Sequence, residues 1–300
     1  IITTAPILSC ADKSSPLAEK SSPPLIAPAS PATLLFITDF GATDDSVAIC
    51  KGVMLGIEPS LRIIDISHQV TPYSILDGAR FLAGTSPYYG AGTVFVAVID
   101  PGVGSIRKPL VVKSKRGQYF VLPDNGLITL VQDRDGIEGA REITNNAWMV
   151  GSALSSTFHG RDIFSSVGAH LARGEDWTKV GPEIKELARL PVKAAQADEN
   201  GLSGEVIALD GPYGNLVTNI DAEDFQKLGY TLGEKLTITI AGKAVELPFV
   251  KTFSDVAENK PLLYVDSRGH LALAINLGNF AKIYKVTPPQ PITIPRKAKP

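Results

Sequence analysis

The sequence has few of the residues that usually build redox, metal or nucleic-acid sites. Among 300 residues there are two cysteines, four histidines and two tryptophans, and the 29 Lys and Arg residues nearly cancel the 31 Asp and Glu residues. A chain without a basic excess lacks the electrostatic footprint of nucleic-acid binding. Cys10 and Cys50 show neither a disulfide pattern nor the spacing of metal ligands. We therefore expect no disulfide, no metal site and no nucleic-acid partner.

Long apolar runs and the common catalytic motifs are also missing. No uninterrupted apolar stretch approaches the roughly 20 residues that a membrane-spanning helix needs, so we predict no transmembrane segment. The sequence contains no Walker phosphate loop, no Gly-x-Gly-x-x-Gly after the first strand, no Gly-x-Ser-x-Gly and no His-Glu-x-x-His. His68 and His170 stand alone in the sequence, and we expect both to be structural.

The N-terminal segment differs in composition from the rest of the chain. Residues 1–32 are rich in Ser, Pro and Ala without apolar periodicity, which predicts a flexible tether. The three residues before Cys10 resemble the end of a bacterial lipoprotein signal, in which the cysteine becomes lipidated. The alternative is a disordered extension on a cytoplasmic protein, so the compartment stays open between the two. Cys50 lies in a predicted helix and is expected to be a small core residue.

From residue 33 onward, short apolar runs alternate with amphipathic segments, which is the pattern of an α/β fold. The run 93–99 is continuously apolar and β-rich, as in a strand buried on both faces of a parallel sheet. We predict an N-terminal α/β domain with a mainly parallel central sheet over residues 33–190. Its strands are expected at 34–38, 63–66, 93–99, 110–113 and 119–122, and its helices at 45–56, 74–84, 127–132 and 163–172.

A second, smaller domain is predicted after a polar linker at residues 191–201. Strand-like segments separated by Gly, Asp and Asn turns indicate a mostly β, barrel-like C-terminal domain over residues 202–290. Its strands are expected at 204–209, 236–240, 262–265 and 271–275, with one helix at 222–228. Residues 291–300 are assigned to a tail.

Several acidic residues follow the first predicted strand. Asp39 sits where ligands dock on open α/β sheets, so its carboxylate could accept ribose hydroxyls. The alternative is that Asp39 only satisfies backbone donors in the turn. Thr43, Asp44, Asp45 and Ser46 are all favoured at helix N-termini, and capping alone explains them. A carboxylate of this group that does not cap would be free to bind the amino group of an amino acid.

A second group of charged residues is not explained by turn chemistry. Asp100 opens a Pro- and Gly-rich turn directly after a buried strand. Arg107 follows a few residues later, and His159, Arg161 and Asp162 are concentrated just before a helix. This density suggests a site. The alternatives are a structural or capping role for His159 and an ion pair between Arg161 and Asp162.

The segment 38–47 resembles the first motif of the family of S-adenosyl-L-methionine (SAM) hydroxide adenosyltransferases, fluorinases and chlorinases. Further segments resemble the later motifs of this family in the same order. They are residues 66–72, 100–104, 123–126, 157–162, 210–219 and 266–269. The resemblance covers about residues 33–290. A set of motifs in one order is far more specific than any single motif.

This resemblance implies an activity and a set of catalytic residues. The expected reaction is hydrolysis of SAM to adenosine and L-methionine, by SN2 attack of water at ribose C5′. Asp100, Arg107 and His159 resemble the polar set around the water in the hydrolase branch. Arg107 and His159 would stabilise the developing hydroxide, while Asp100 would orient Arg107 or receive a proton. Fluorinases carry a Tyr where this chain has Asp100 and a halide-binding Ser where it has Gly160. The alternatives are a SAM-dependent halogenase and a non-catalytic lipoprotein that binds SAM or adenosine.

The resemblance also implies how the substrate is held. Asp39 and Tyr73 would lie at the ribose, with Tyr73 in place of the Trp of the fluorinases. The other implied contacts are Asp44, Ser46, Asp210 and Ser267 to the methionine, and Tyr213, Asn215 and Phe253 to the adenine. No cofactor is implied, because SAM is the substrate. The family further implies a homotrimer in which each site lies between the first domain of one subunit and the second domain of its neighbour.

Overall fold

The computed structural model of the protein describes residues 32–151 and 154–298. Cys10 and the predicted tether, apart from Ala32, lie outside these residues. Among the described residues, no helix has both the length and the apolar character needed to span a membrane.

The first part of the chain is built on a seven-stranded mixed sheet. Its strands are β1 (Thr33–Thr38), β2 (Arg62–Ser67), β3 (Val94–Val98), β4 (Pro109–Ser114), β5 (Tyr119–Pro123), β6 (Ile137–Glu142) and β7 (Glu183–Ile184). Their order is β2-β1-β3-β5-β4-β6-β7. The pairs β2-β1, β1-β3 and β3-β5 are parallel, whereas β4 and β6 add antiparallel pairs. The α/β fold class is confirmed, and the parallel strands form one half of the sheet.

Helices cover both faces of this sheet. They are α1 (Ser46–Ile57), α2 (Ile75–Thr85), α3 (Thr129–Asp135) and α4 (Ser166–Ala172). Alternate residues of β1 point into two different cores, with Leu34 and Phe36 in one and Leu35 and Ile37 in the other. A strand buried in this way needs the continuous apolar run that predicted it. Cys50 is fully buried in α1, as expected, and burial raises the pKa of its thiol to about 11.

The helix predicted at 163–172 is two elements in the structure. A π-helical turn, Gly160–Ser165, runs directly into α4. Such turns are rare and are found frequently at functional sites. Here the π-helical turn begins immediately after His159.

The second part of the chain is an antiparallel, nearly closed, barrel-like sheet. Its strands are β8 (Gln196–Ala197), β9 (Gly201–Asp210), β10 (Asn215–Asp221), β11 (Lys235–Ile240), β12 (Lys243–Pro248), β13 (Pro261–Val265), β14 (His270–Ile275) and β15 (Gln290–Pro295). The order is β12-β11-β15-β9-β10-β14-β13, with β8 paired to β9. A bridge from Phe249 to Leu263 brings the two edges together. Two short helices, α5 (Ala222–Gln226) and α6 (Phe280–Tyr284), complete this part.

Strands β6, β10 and β12 were not predicted, and two further segments depart from the sequence-based expectations. Strand β15 lies in residues assigned to the tail, where it pairs with β9 and β11. Ile292 and Ile294 of β15 are buried in the barrel core, but prolines at positions 291 and 295 hide the strand pattern because proline is depleted from strands. The polar segment 191–201 contains β8 rather than irregular structure alone.

Candidate active site

Three predicted side chains meet beyond the carboxyl end of β3. The Arg107 guanidinium makes a two-pronged ion pair with Asp100: Nε donates to Oδ1 over 2.9 Å, and Nη2 donates to Oδ2. Nη2 also donates to Nδ1 of His159 over 2.7 Å. The side chains of Asp100 and Arg107 are only 4% and 9% exposed. The structure therefore brings Asp100, Arg107 and His159 into one hydrogen-bonded group.

The contact with Arg107 determines the tautomer of His159. A guanidinium has hydrogen-bond donors and no acceptor, so Nδ1 of His159 must accept. A neutral imidazole then carries its proton on Nε2. Burial lowers the pKa of His159 below its ordinary value, and the neighbouring Arg107 charge lowers it further. The group at neutral pH is thus a carboxylate, a guanidinium and a neutral imidazole with an N–H donor at Nε2.

A close approach of two loops makes this group possible. Gly104 lies in the turn after β3 with φ +76°, and an added Cβ would sit 2.5 Å from the carbonyl oxygen of Ser156. Only glycine permits both this backbone conformation and this contact. The ring of Phe164, in the π-helical turn, lies 5.3 Å from Cζ of Arg107 and supports the guanidinium from the opposite side.

The loop that carries His159 is held by Asp162. Its buried carboxylate pairs with Arg161, Nε to Oδ1 at 2.5 Å, and accepts the backbone N–H of Ser155 at 2.7 Å. Although burial raises the pKa of Asp162, these hydrogen bonds lower it below the ordinary value. Arg161 and Asp162 thus form the ion pair that was the structural alternative in the sequence. This ion pair fixes the approach of the chain to His159.

Asp39 and Tyr73 lie beside the three residues. Oδ2 of Asp39 accepts the backbone N–H of Tyr73 over 2.8 Å. Tyr73 has φ +64°, a left-handed conformation that is uncommon for a bulky residue and is concentrated at functional sites. Its side chain is 76% exposed. Asp39 therefore does satisfy a backbone donor, and its Oδ1 has no hydrogen-bond partner within residues 32–151 and 154–298.

A cavity of about 370 Å³ joins these residues. Asp39, Tyr73, Asp100 and His159 line it together with an apolar wall that includes Phe40, Val98, Val103 and Phe158. Gly160 also borders the cavity, and a Cβ there would meet Cζ of Phe40 at 2.9 Å. The apolar wall gives the polar groups a surrounding of low dielectric constant, which strengthens their interactions.

The start of α1 lies near the same end of the sheet. Oδ1 of Asp44 accepts the backbone N–H of Ser46 over 3.0 Å, in a local turn that leads into α1. The Asp45 side chain makes no capping hydrogen bond. The Asp45 carboxylate is thus free of these hydrogen bonds, whereas the family resemblance points to Asp44 and Ser46.

The predicted adenine contacts lie on the second domain. Tyr213, Asn215 and Phe253 line a cavity of about 740 Å³ together with Leu277. Tyr213 is 68% exposed, although it is a large aromatic residue. The three residues are brought together as predicted, but in a cavity separate from that of Asp100 and His159.

Asp210 and Ser267 lie where the two domains of one chain meet. Ser267 lines a third cavity, of about 660 Å³, with Arg80 and Arg268. Burial raises the pKa of Asp210, while the charges of Arg80 and Arg268 oppose this shift. The predicted methionine contacts are therefore divided between the start of α1 and this junction.

His68 and His170, which were expected to be structural, have structural partners. Nδ1 of His68 lies 2.9 Å from Oγ1 of Thr38, and Nε2 lies 3.0 Å from a carboxylate oxygen of Asp65. His170 contacts Glu175 over 2.7 Å and stacks on Trp148. Among the described residues, no three His, Cys, Asp or Glu side chains are grouped as metal ligands would be.

Comparison with known proteins agrees with this architecture. The family model for the SAM hydroxide adenosyltransferase N-terminal domain matches residues 34–181, and that for the C-terminal domain matches residues 204–293. The chain is 37% identical over 256 residues to an (R)-S-adenosyl-L-methionine hydrolase of Salinispora tropica, covering 84% of this chain and 94% of that protein. It is 32% identical over 288 residues to a fluorinase of an Actinoplanes species, covering 87% and 96%.

A solved structure shows the same fold. An uncharacterized conserved protein from Thermotoga maritima superposes with a TM-score of 0.82 at 36% identity, covering 87% of this chain and 99% of that one. Both domains are thus those of a single two-domain class of proteins. The chain belongs to the SAM hydroxide adenosyltransferase family.

Proposed function

We propose that this protein hydrolyses SAM to adenosine and L-methionine. The observation that carries the proposal is the hydrogen-bonded group of Asp100, Arg107 and His159, of which Asp100 and His159 line one cavity together with Asp39. Family membership and relatives named (R)-S-adenosyl-L-methionine hydrolase support the same activity.

The chemistry suits the residues present. An oxygen–carbon bond forms at ribose C5′ while the carbon–sulfur bond breaks, and its electron pair passes to sulfur. Because the sulfonium leaves as a neutral thioether, the leaving group needs no acid, and we propose that the reaction needs no metal or cofactor. The difficult partner is water, which is a weak nucleophile. Arg107 and His159, through Nε2–H, would stabilise negative charge on its oxygen as a proton is lost.

Asp100 is better placed to orient the Arg107 guanidinium than to act as a general base. Both of its carboxylate oxygens accept hydrogen bonds from Arg107. Taking a proton would break this pair in a buried place, which is costly. We therefore propose that Asp100 fixes the guanidinium plane, while the proton leaves to solvent. Alignment of water with the carbon–sulfur bond could contribute roughly 7–11 kcal/mol to lowering the barrier.

The substrate would be held by both domains. Asp39, with one oxygen already fixed by Tyr73, would bind the ribose hydroxyls through its other oxygen. The methionine end would be held by Asp44, Ser46, Asp210 and Ser267, and the adenine by Tyr213, Asn215 and Phe253. The charged side chains among these contacts are all carboxylates, as suits a substrate with an ammonium and a sulfonium group.

We propose a homotrimer in which each site lies between two subunits. In one chain, the cavity with Asp100 and the cavity with Tyr213 share no residue. Large apolar side chains beside both cavities are exposed, including Tyr73 and Ile106 on one and Tyr213 and Leu277 on the other. Exposed apolar patches of this kind mark interaction sites. The two surfaces would cover each other and enclose one substrate.

The experiment that tests the activity is turnover in ¹⁸O-labelled water, with the two sulfonium epimers of SAM supplied separately. We expect one ¹⁸O atom at the 5′ position of adenosine and preference for the (R) epimer. Parallel reactions with fluoride or chloride test for 5′-halo-5′-deoxyadenosine, the product of a halogenase. Tight SAM binding without any product would instead identify a receptor.

A further inference from the structure

We infer that Asp100 makes the site select water over halide ions by cancelling the charge of Arg107. The inference rests on the proposed function and adds a determinant of nucleophile choice to it. Its basis is the geometry of one ion pair within an apolar cavity.

The ion pair leaves no excess positive charge next to the nucleophile position. Asp100 engages Nε and Nη2 of Arg107 together, and both side chains are more than nine-tenths buried. The remaining partner of Nη2 is the neutral His159. The other charged side chain that lines the cavity, within the described residues, is Asp39, whose carboxylate adds negative charge. An anion that enters this cavity therefore meets a compensated cation and an extra carboxylate.

A buried anion is stable only where opposite charge or several donors compensate its lost hydration. Water enters the same place without that cost because it is neutral. The cavity can still offer hydrogen bonds to water from His159 Nε2–H, and Arg107 can respond when negative charge develops during attack. The ground state thus favours a neutral nucleophile, and the positive charge becomes useful only in the transition state.

Removing the Asp100 charge should invert this preference. Arg107 would remain beside the ring of Phe164 as an uncompensated cation. His159 would then present its Nε2–H donor to the cavity, with the Arg107 cation hydrogen-bonded directly behind the imidazole, against the apolar wall formed by Phe40, Val98 and Val103. Donors and a cation in surroundings of low dielectric constant form an anion site.

A halide in this position has a balanced reaction open to it. A carbon–halogen bond forms at ribose C5′ as the carbon–sulfur bond breaks, and the electron pair goes to sulfur. The products are 5′-halo-5′-deoxyadenosine and L-methionine, with no oxidant and no proton transfer. Loss of the hydroxide-stabilising arrangement therefore hinders hydrolysis but does not hinder attack by chloride.

The test compares Asp100→Asn and Asp100→Ser with the wild-type protein. Chloride replaces gluconate at constant ionic strength, so that general screening stays unchanged. Chloride binding is followed by thermal shift, which does not depend on turnover, and 5′-chloro-5′-deoxyadenosine is measured by mass spectrometry. We expect a chloride Kd at least about tenfold lower in the variants, equivalent to about 1.4 kcal/mol. The double variant Asp100→Asn, Arg107→Met should lose this gain.

The possible outcomes are distinct. A gain in chloride binding that depends on Arg107 supports the inference, and the chlorinated nucleoside extends it to catalysis. Equal chloride affinity in folded wild-type and both single variants overturns it, as does a gain that survives in the double variant. Absence of adenosine from wild-type reactions would contradict the proposed function. The comparison of chloride affinities would still test whether Asp100 neutralises the charge of Arg107.

Discussion

At the scale of single residues, the hydrogen bond from Arg107 to His159 links the pH dependence of the site to one nitrogen. Protonation of His159 places a hydrogen on Nδ1, which then faces a guanidinium donor instead of accepting from it. The neutral imidazole is therefore the form that keeps the group together.

We predict that kcat/KM falls on the acid side through the titration of His159. Its pKa is lowered by burial and by Arg107, so the neutral, active form persists below the ordinary histidine value of about 6.5. Activity should be full above that value and decline only as the pH falls through the lowered pKa. A pH profile of wild-type kcat/KM measures this. An acid limb above pH ~6.5 would contradict the assignment of this pKa to His159.

Arg107 is expected to be irreplaceable by lysine. A single ammonium cannot reproduce the planar fork that engages both oxygens of Asp100 and Nδ1 of His159. Arg107→Lys should lower kcat by about 10²–10³-fold, the usual effect of losing a transition-state donor, with a much smaller change in KM. The matched control is Arg62→Lys, because Arg62 is exposed on β2. Steady-state kinetics of both variants test this prediction. A near-normal kcat in Arg107→Lys would contradict the proposed role of Arg107 in the transition state.

At the scale of elements, the site depends on how closely the turn after β3 approaches the loop before the π-helical turn. Gly104 stands at the contact with Ser156, so its substitution should separate Arg107 from His159. Gly174 offers a comparison, since it also has a positive φ, +92°, but has open space around its Cα.

We predict that Gly104→Ala and Gly174→Ala have different effects on catalysis. Both should lose roughly 1–2 kcal/mol of stability from the left-handed backbone. Only Gly104→Ala should also lose most of its turnover, because the clash displaces a catalytic loop. Thermal melting and kcat of the two variants provide the measurement. Equal kcat in both would show that the close approach is dispensable.

The elements also show what could be predicted from the sequence. The continuous apolar run of β3 needs burial on both faces, and it identified a central strand with Asp100 at its end. Strand β15 was missed because its prolines disguise the alternation of Ile292 and Ile294. The set Asp100, Arg107 and His159 was suggested by local density and family resemblance. The supports of this set, Phe164 and the Asp162–Ser155 bond, were not predicted, since no periodic pattern encodes them.

At the scale of the whole molecule, the proposed trimer predicts that two inactive variants complement each other in mixed assemblies. A chain with His159→Ala damages one half of a site, and a chain with Tyr213→Ala and Asn215→Ala damages the other half. Neither assembly should be active alone. Random mixing in co-expressed trimers should leave about a quarter of the sites with two intact halves, because each site uses two different chains.

Activity of mixed assemblies, isolated through two different affinity tags, checks this expectation; selection for both tags removes the parental trimers, so about a third of the remaining sites should be intact. Restored turnover requires a site between subunits. If mixed trimers were no more active than either parent, both halves of the site would have to belong to the same chain.

The parallel pairing of β1 with β3 has one more consequence. Five successive register pairs, from Leu34–Val94 to Thr38–Val98, join these strands and end one residue before Asp39 and two residues before Asp100. If Asp39 holds the sugar and the Asp100 group positions the water, as proposed, the sheet sets the separation between these two positions. Sequence changes in the turn after β3 could then change the nucleophile during evolution without changing the direction of attack on the substrate. Proteins named hydrolase and fluorinase can accordingly share one scaffold.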